Sequence, residues 1–171
     1  NNHPIHTAKF KKEMERFAKN NNLSLSNTSK WSKVESRLFL NDLEHNFNIK
    51  MIQHLRGMGA KQLIATTNSW GGIMSLGSLP ALNDGDIIDV HSYGQKNQLR
   101  KNPRNSPTFL DAISASQIIN KPLSITEWNM SKHPVADRFV APLFISSIAR
   151  LQGWDIVMLY GYAQEALNRK N

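Results

Sequence analysis

The sequence predicts an α/β fold built from parallel β/α units. Four short apolar runs rich in β-branched residues indicate strands, and helical patterns separate the last three of them. Strands that alternate with helices form parallel sheets with right-handed crossovers, so two architectures fit: half of an eight-stranded barrel, or an open doubly wound sheet. With 40% apolar and 20% charged side chains, the 171 residues suffice for one domain with its own core.

Residues 1–58 are predicted to form a helical lead-in to the sheet. Phe10, Met14 and Phe17 recur at helical spacing, and a polar loop follows them. A long amphipathic helix is predicted over roughly 33–57, because an apolar stripe runs along it and glycines end it. We expect that stripe to face the core; it consists of Leu40, Leu43, Phe47, Met51 and Leu55.

Four parallel strands with their helices are predicted within residues 61–160. The predicted strands are residues 61–68, 86–93, 122–128 and 154–160. One helix is expected after Ser106, which is a good N-cap before a proline, and another runs from about Asp137 to Gly153. The link between the first two strands holds only a short helical piece, residues 78–83.

Composition and motif content exclude several classes of protein. The chain has no cysteine, so it cannot form a thiolate metal site, a cysteine nucleophile or a disulfide. No histidine pair has helical ligand spacing and no glycine-rich phosphate loop follows a strand, so we expect neither metal nor cofactor. We expect no membrane partner, since no apolar run approaches the roughly 20 residues of a span. The net charge is +8, but the basic residues are interspersed with acidic ones and the sequence shows no nucleic-acid-binding motif. We therefore expect no nucleic acid partner.

Polar and aromatic side chains gather where each predicted strand ends. The strand starts carry no comparable set, and the carboxyl ends of parallel strands form the functional face of such proteins. The candidate residues at these ends are Asn68 and Trp70, His91 and Tyr93, Glu127, Trp128 and Asn129, and finally Tyr160 and Tyr162.

Glu127 is the strongest single candidate for a catalytic residue. It is the only glutamate within a predicted strand, and its period-two spacing from Leu123 and Ile125 predicts that it points to their side. An inward carboxylate needs a role or a partner, and a structural pair with a nearby Arg or Lys is the alternative. Tyr93, which shares a face with His91, is expected to hydrogen-bond the carboxylate and hold it ionised.

The segments Asp89–Gly94 and Thr126–Asn129 together resemble the second half of a clan A glycoside hydrolase. The resemblance covers roughly residues 36–164. It implies that residues 1–171 are the C-terminal half of one TIM-barrel-type (β/α)8 catalytic domain, supplying strands five to eight. The function it implies is that of a glycosidase acting on a polysaccharide or oligosaccharide by a retaining, two-carboxylate mechanism.

The resemblance also implies roles for individual residues. Glu127 would be the nucleophile at the end of the seventh strand, and Tyr93 and His91 would contact it from the sixth. Aromatic residues at the strand ends would serve as sugar platforms, although ordinary core packing remains the alternative for the tryptophans. The implied substrate-binding set is Asn68, Trp70, Trp128, Asn129, Tyr160 and Tyr162.

The sequence departs from the clan at the acid/base residue. The clan places that glutamate after an asparagine, and this chain contains no Asn-Glu dipeptide. We therefore expect the chain, which begins at Asn1, to be a processed or internal piece whose partner is the N-terminal half of the same barrel. The acid/base glutamate would lie in that missing segment, as a separate chain or an absent stretch, and residues 1–171 alone would be inactive.

A basic loop after Tyr93 bears on the substrate. It carries Lys96, Arg100, Lys101 and Arg104 with no acid between residues 90 and 110, which suits an acidic or sulfated polysaccharide, although a solvated basic loop is the more common interpretation of such a pattern. A polysaccharide substrate would imply a secreted or periplasmic protein, and a cytoplasmic one stays open. The alternative function is a non-catalytic carbohydrate-binding relative that keeps the aromatic residues and has no acid.

Overall fold

The computed structural model describes residues 4–24, 31–70, 77–95, 97–102, 104–131 and 139–161. Within these residues the helices are α1 (Pro4–Asn20), α2 (Lys33–Gly57), α3 (Leu79–Leu82), α4 (Leu110–Ala115) and α5 (Ala141–Gln152). The strands are β1 (Ser69–Trp70), β2 (Ile88–Gly94), β3 (Leu123–Met130) and β4 (Ile156–Leu159).

The strands form one open parallel sheet in the order β1–β2–β3–β4. Only β2, β3 and β4 are longer than two residues, so three parallel strands and five helices make up the described part of the fold. The prediction of four β/α units, supplying strands five to eight of a (β/α)8 barrel, is therefore wrong. The chain forms a small α/β domain around an open sheet.

The missing unit is the first predicted strand, residues 61–68. Its backbone makes one isolated bridge, between Ala65 and Ile87, and the two-residue β1 follows it. A strand of a parallel sheet is stabilised by burial of its side chains on both faces. Residues 61–68 lack such burial, since Leu63 is exposed. An apolar composition therefore did not suffice to make residues 61–68 a strand.

The prediction of a helix over 33–57 is confirmed, and its start has a local cause. Ser32 caps α2: its hydroxyl accepts a hydrogen bond from the Glu35 backbone N–H at 3.1 Å. The Glu35 carboxylate in turn accepts the Ser32 backbone N–H at 2.6 Å, which completes a capping box. These bonds, first of all the one from the Ser32 backbone, lower the pKa of Glu35.

The apolar stripe predicted for α2 does not face the core. Leu40, Phe47 and Met51 are exposed, Leu43 and Leu55 are only half-buried, and the buried residues of the helix are Phe39 and Asn48. Phe39 lies in an aromatic cluster that joins α1 to α2, and the Asn48 side chain donates to the carbonyl oxygen of Ala81 in α3. The other rings of that cluster are Phe10, Phe17 and Trp31.

The main core lies between one face of the sheet and helices α4 and α5. Ile88 and Val90 of β2 pack there with Ile113 of α4 and Ile145 of α5. From β3, the core receives Leu123, Ile125, Trp128 and Met130. Since this face carries the apolar side chains, the polar side chains of β2 and β3 collect on the opposite face.

Candidate functional site

The site begins with an irregularity in β3. Val90 pairs with Ile125, but the next residue of β2, His91, pairs with Glu127, so Thr126 is one residue extra. The pairing of β3 with β4 shows the same excess in the same stretch. An extra residue of this kind is a β-bulge, and it breaks the regular alternation of side chains between the two faces.

The bulge places Glu127 on the polar face of the sheet. Strict alternation would put it beside Leu123 and Ile125, which are fully buried in the core. Its carboxylate instead reaches Tyr93 and His91 on the opposite face. The prediction that Glu127 shares the side of Leu123 and Ile125 is therefore wrong, while the prediction of a bond from Tyr93 is confirmed.

One side chain of β2 binds the Glu127 carboxylate, and a second lies beside it. The Tyr93 hydroxyl donates to Glu127 Oε2 at 2.7 Å, and His91 Nδ1 lies 3.3 Å from the same oxygen. Burial, and then this hydrogen bond, raise the pKa of Tyr93, so the phenol stays a donor. The Glu127 side chain is 31% exposed, which leaves the carboxylate open to a ligand.

Asp89 is the member of the site that sequence reasoning did not single out. Its Oδ2 accepts the Thr126 hydroxyl at 2.7 Å, and its Oδ1 accepts the Ser124 hydroxyl at 2.7 Å and the Thr126 backbone N–H at 3.3 Å. The residue is only 7% exposed. The period-two spacing of Asp89 with His91 and Tyr93 could have placed all three on one face.

His91 connects Asp89 and Thr126 to Glu127. Its Nε2 lies 3.0 Å from Thr126 Oγ1 and 3.5 Å from Asp89 Oδ2. The Asn68 side-chain amide lies 3.1 Å from the same nitrogen, so this predicted site residue belongs to the cluster. The backbone of Trp70 pairs with that of His91 in the sheet, and the Trp70 side chain lies outside what the structure describes.

Two predicted substrate-binding residues of β3 are not available to a ligand. Trp128 is 3% exposed and packs in the core on the face opposite Glu127, because the bulge shifts it there. The Asn129 side chain is also buried: its Nδ2 donates to the Tyr160 carbonyl oxygen at 2.8 Å and its Oδ1 accepts the Met130 backbone N–H. The structure therefore does not bring the side chains predicted as a sugar platform, Trp128, and as a sugar-binding amide, Asn129, to a surface that a sugar can reach.

Of the two aromatic residues predicted at the end of β4, Tyr160 and Tyr162, the structure describes only Tyr160. Tyr160 is 45% exposed and adjoins the sheet through a backbone hydrogen bond to the Trp128 carbonyl oxygen. Its ring is therefore accessible, as a sugar platform requires. Tyr162 lies outside the described residues.

The basic loop leaves the sheet directly after Tyr93 and Gly94. A single 3-10 turn, Gln98–Arg100, follows, and the side chains of Lys101 and Arg104 are exposed. Lys96 lies outside the described residues. The Gly94 carbonyl oxygen accepts the Ser131 backbone N–H at 2.8 Å, which holds the start of this loop at the end of β3.

Two further observations on the described residues concern metal binding and membrane insertion. Across the described ranges, no group of three or more His, Cys, Asp or Glu side chains is arranged to hold a metal ion. In the same ranges no helix has both the length and the apolar character needed to span a bilayer.

The comparisons with known proteins identify no relative of this chain. No protein-family model matches the chain, and neither a curated protein nor a solved structure matches it. What the site does must therefore be argued from the geometry of its own side chains.

Proposed function

We propose that this chain carries the nucleophile of a retaining glycoside hydrolase, and that the nucleophile is Glu127. The observation that carries the proposal is a partly exposed carboxylate near the end of a parallel strand, held by the Tyr93 hydroxyl at 2.7 Å and beside His91 at 3.3 Å. Such an arrangement fixes the direction of the carboxylate, as a nucleophile requires.

Two alternatives for Glu127 are less well supported. A structural ion pair would need an Arg or Lys, and among the described residues the basic side chain beside this carboxylate is that of His91, at 3.3 Å. A tyrosine nucleophile activated by a glutamate would need an easily ionised phenol, whereas the pKa of Tyr93 is raised by its burial and by Glu127. The carboxylate is therefore the better nucleophile of the pair.

The proposed reaction has two steps. Glu127 attacks the anomeric carbon, the glycosidic C–O bond breaks, and a second carboxyl group about 5–5.5 Å away protonates the leaving oxygen. That group, now a carboxylate, then takes a proton from water, which attacks the anomeric carbon and releases Glu127. Tyr93 and His91 position the nucleophile in both steps.

The second carboxyl group is not Asp89. Both of its oxygens accept hydrogen bonds from Ser124 and Thr126, and the residue is buried. Since the chain also lacks the Asn-Glu dipeptide of the clan, we infer that the acid/base carboxyl comes from a protein segment beyond residues 1–171. The exposed apolar side chains of edge strand β4 support an additional segment, since an uncovered apolar strand edge is an aggregation hazard; they include Ile156, Met158 and Leu159.

The charge beside the site favours an acidic sugar. Lys101 and Arg104 follow the end of β2 that bears Tyr93, so a positive potential is expected near Glu127. We expect uronic or sulfated oligosaccharides to bind more tightly than neutral ones, and this preference should weaken as salt is added. Equal affinities at all salt concentrations would remove the charge argument and leave the nucleophile unaffected. A polysaccharide substrate of this kind favours a secreted or periplasmic protein.

The test is covalent trapping of Glu127. A leaving group that is already a stable anion needs no protonation, so a 2-deoxy-2-fluoro glycoside of dinitrophenol can label the nucleophile without the second carboxyl group. We expect intact-mass spectrometry of the 171-residue chain to show one added sugar from a panel of neutral and uronic glycosides. Peptide mapping should place that sugar on Glu127.

Glu127→Gln is the matched control, because it keeps the shape of the side chain and removes the nucleophile. Labelling that persists in this variant, or that maps to another residue, would contradict the proposal. Sugar binding by calorimetry without labelling by any glycoside of the panel would also contradict it, and would indicate a carbohydrate-binding protein.

A further inference from the structure

The hydroxyl group of Thr126 has only one proton, and two neighbours compete for it. Asp89 Oδ2 lies 2.7 Å away and His91 Nε2 lies 3.0 Å away. The hydrogen bonds to Asp89 among the described residues come from donors, namely the Ser124 hydroxyl and the hydroxyl and backbone N–H of Thr126, and His91 Nε2 lies further away at 3.5 Å. A carboxylate accepts and does not donate, so the Thr126 proton points to Asp89.

This direction leaves only lone pairs of Thr126 Oγ1 facing His91. A distance of 3.0 Å between Oγ1 and Nε2 is a hydrogen bond only if one of the two atoms supplies a proton. Since Oγ1 has none left to give, Nε2 must carry it. The atom placed 3.1 Å from Nε2 is Asn68 Nδ2, a donor, so a proton on Nε2 requires the Asn68 amide to be turned by 180°, which brings its oxygen to Nε2 as a second acceptor.

We propose that Asp89 is a positioning residue that acts through Thr126 to keep the proton of the neutral His91 ring on Nε2. The other ring nitrogen, Nδ1, then has a lone pair and lies 3.3 Å from Glu127 Oε2. Two acceptors that face each other at this distance need a donor from outside the protein. Resting on the proposed function, that donor is a sugar hydroxyl next to the anomeric carbon.

Asp89→Asn tests the position of the proton, because it should move the proton to the other nitrogen. The Thr126 backbone N–H is a fixed donor, so the oxygen of the new amide stays opposite it and the amide NH2 group takes the place of Oδ2. That NH2 group donates to Thr126 Oγ1, whose own proton turns to His91 Nε2. Nε2 becomes the acceptor, and the ring proton moves to Nδ1.

The readout is the pair of 15N chemical shifts of the His91 ring, which distinguishes a protonated nitrogen from one with a lone pair. His91→Gln identifies the His91 signals among the six histidines. We expect the parent to have its proton on Nε2 and Asp89→Asn to have it on Nδ1. A parent with the proton on Nδ1, or on both nitrogens, would overturn the proposal.

A second pair of variants covers the case in which Asp89→Asn does not fold. Thr126→Ser keeps the hydroxyl and should keep the proton on Nε2, whereas the isosteric Thr126→Val removes the relay and should move it to Nδ1. Identical His91 spectra in these two variants would overturn the proposal. The spectra need no substrate: reversal without labelling of Glu127 contradicts only the proposed function, and labelling without reversal contradicts only the role of Asp89.

Discussion

Replacing Glu127 with Gln should make the Tyr93 phenol easier to ionise. In the parent, the phenol donates to the carboxylate at 2.7 Å, and a phenolate there would face a negative charge. A hydrogen bond to a charged group is worth about 1.5–3 kcal/mol, and the partial exposure of Glu127 favours the lower end of that range. About 1.4 kcal/mol corresponds to a tenfold change in an equilibrium constant, so the acid dissociation constant of Tyr93 should rise about tenfold.

The pKa of Tyr93 should nevertheless remain above its ordinary value in this variant. Burial is the larger cause of the raised pKa, and the substitution leaves the ring where it is. The chain has three tyrosines, so 13C labelling of the ring carbon that bears the hydroxyl gives three NMR signals to follow against pH. At any pH in the folded range below this pKa, the phenolate fraction of Tyr93 should be about tenfold higher in Glu127→Gln.

Tyr160→Phe is the control for this measurement. It removes a phenol from the same end of the sheet without touching the bond to Glu127, so the Tyr93 signal should titrate nearly as in the parent. A Tyr93 titration that is the same in the parent and in Glu127→Gln would refute the reasoning. So would a parent in which Tyr93 titrates together with the exposed Tyr160.

Three further predictions concern stability. Because the pKa of Tyr93 is raised, its contribution to the free energy of unfolding is complete below the ordinary pKa and is lost as the pH rises through the folded value; Tyr93→Phe should remove this alkaline dependence in urea titrations. Ser32→Ala should cost about 1 kcal/mol by loss of the helix cap, and most of this deficit should persist in acid, because the variant keeps the backbone N–H of residue 32, whose hydrogen bond is the main cause of the lowered pKa of Glu35. Ile125→Ala should cost about 2–5 kcal/mol, because the side chain is fully buried, while leaving the Tyr93 titration unchanged. An alkaline dependence that persists without Tyr93, a Ser32→Ala deficit that disappears in acid, or an Ile125→Ala loss below about 1 kcal/mol would contradict the respective argument.

Local signals in the sequence were sufficient where a short stretch of chain decides the outcome. The capping box formed by Ser32 and Glu35 starts α2 within its own first turn, and the predicted limits, 33–57, agree with the structure. Gly153, at a φ of 72°, ends α5, the helix predicted to end there. These features need few residues, so tertiary packing has little chance to override them.

The sequence-based predictions failed where contacts with other segments determine which side of an element is buried. The stripe predicted for α2 has the right period, but the helix turns Phe39 and Asn48 inward, because an aromatic cluster and the Ala81 carbonyl oxygen lie on that side. Residues 61–68 have the composition of a strand without the burial that makes one. The spacing of apolar residues identifies the apolar face of a helix, but it does not identify the element that packs against that face.

The candidate site was likewise predicted only in part from the sequence. Sequence reasoning brought Glu127, Tyr93 and His91 together, since parallel strands place their carboxyl ends at one edge. It put Glu127 on the wrong face and Trp128 on the accessible one, because a single extra residue in β3 reverses the alternation. A bulge is set by how two strands pair, and a single strand read alone does not reveal it.

By itself, the sequence determined the alternation of strands and helices, the glycine that ends α5 and the residue types gathered at the strand ends. These depend on spacings of a few residues, which are visible in the chain. Only the tertiary structure decided that the sheet is open, that Asp89 lies buried behind His91, and that Glu127 faces Tyr93. Those outcomes depend on register and packing between segments more than 30 residues apart, which local spacing does not encode.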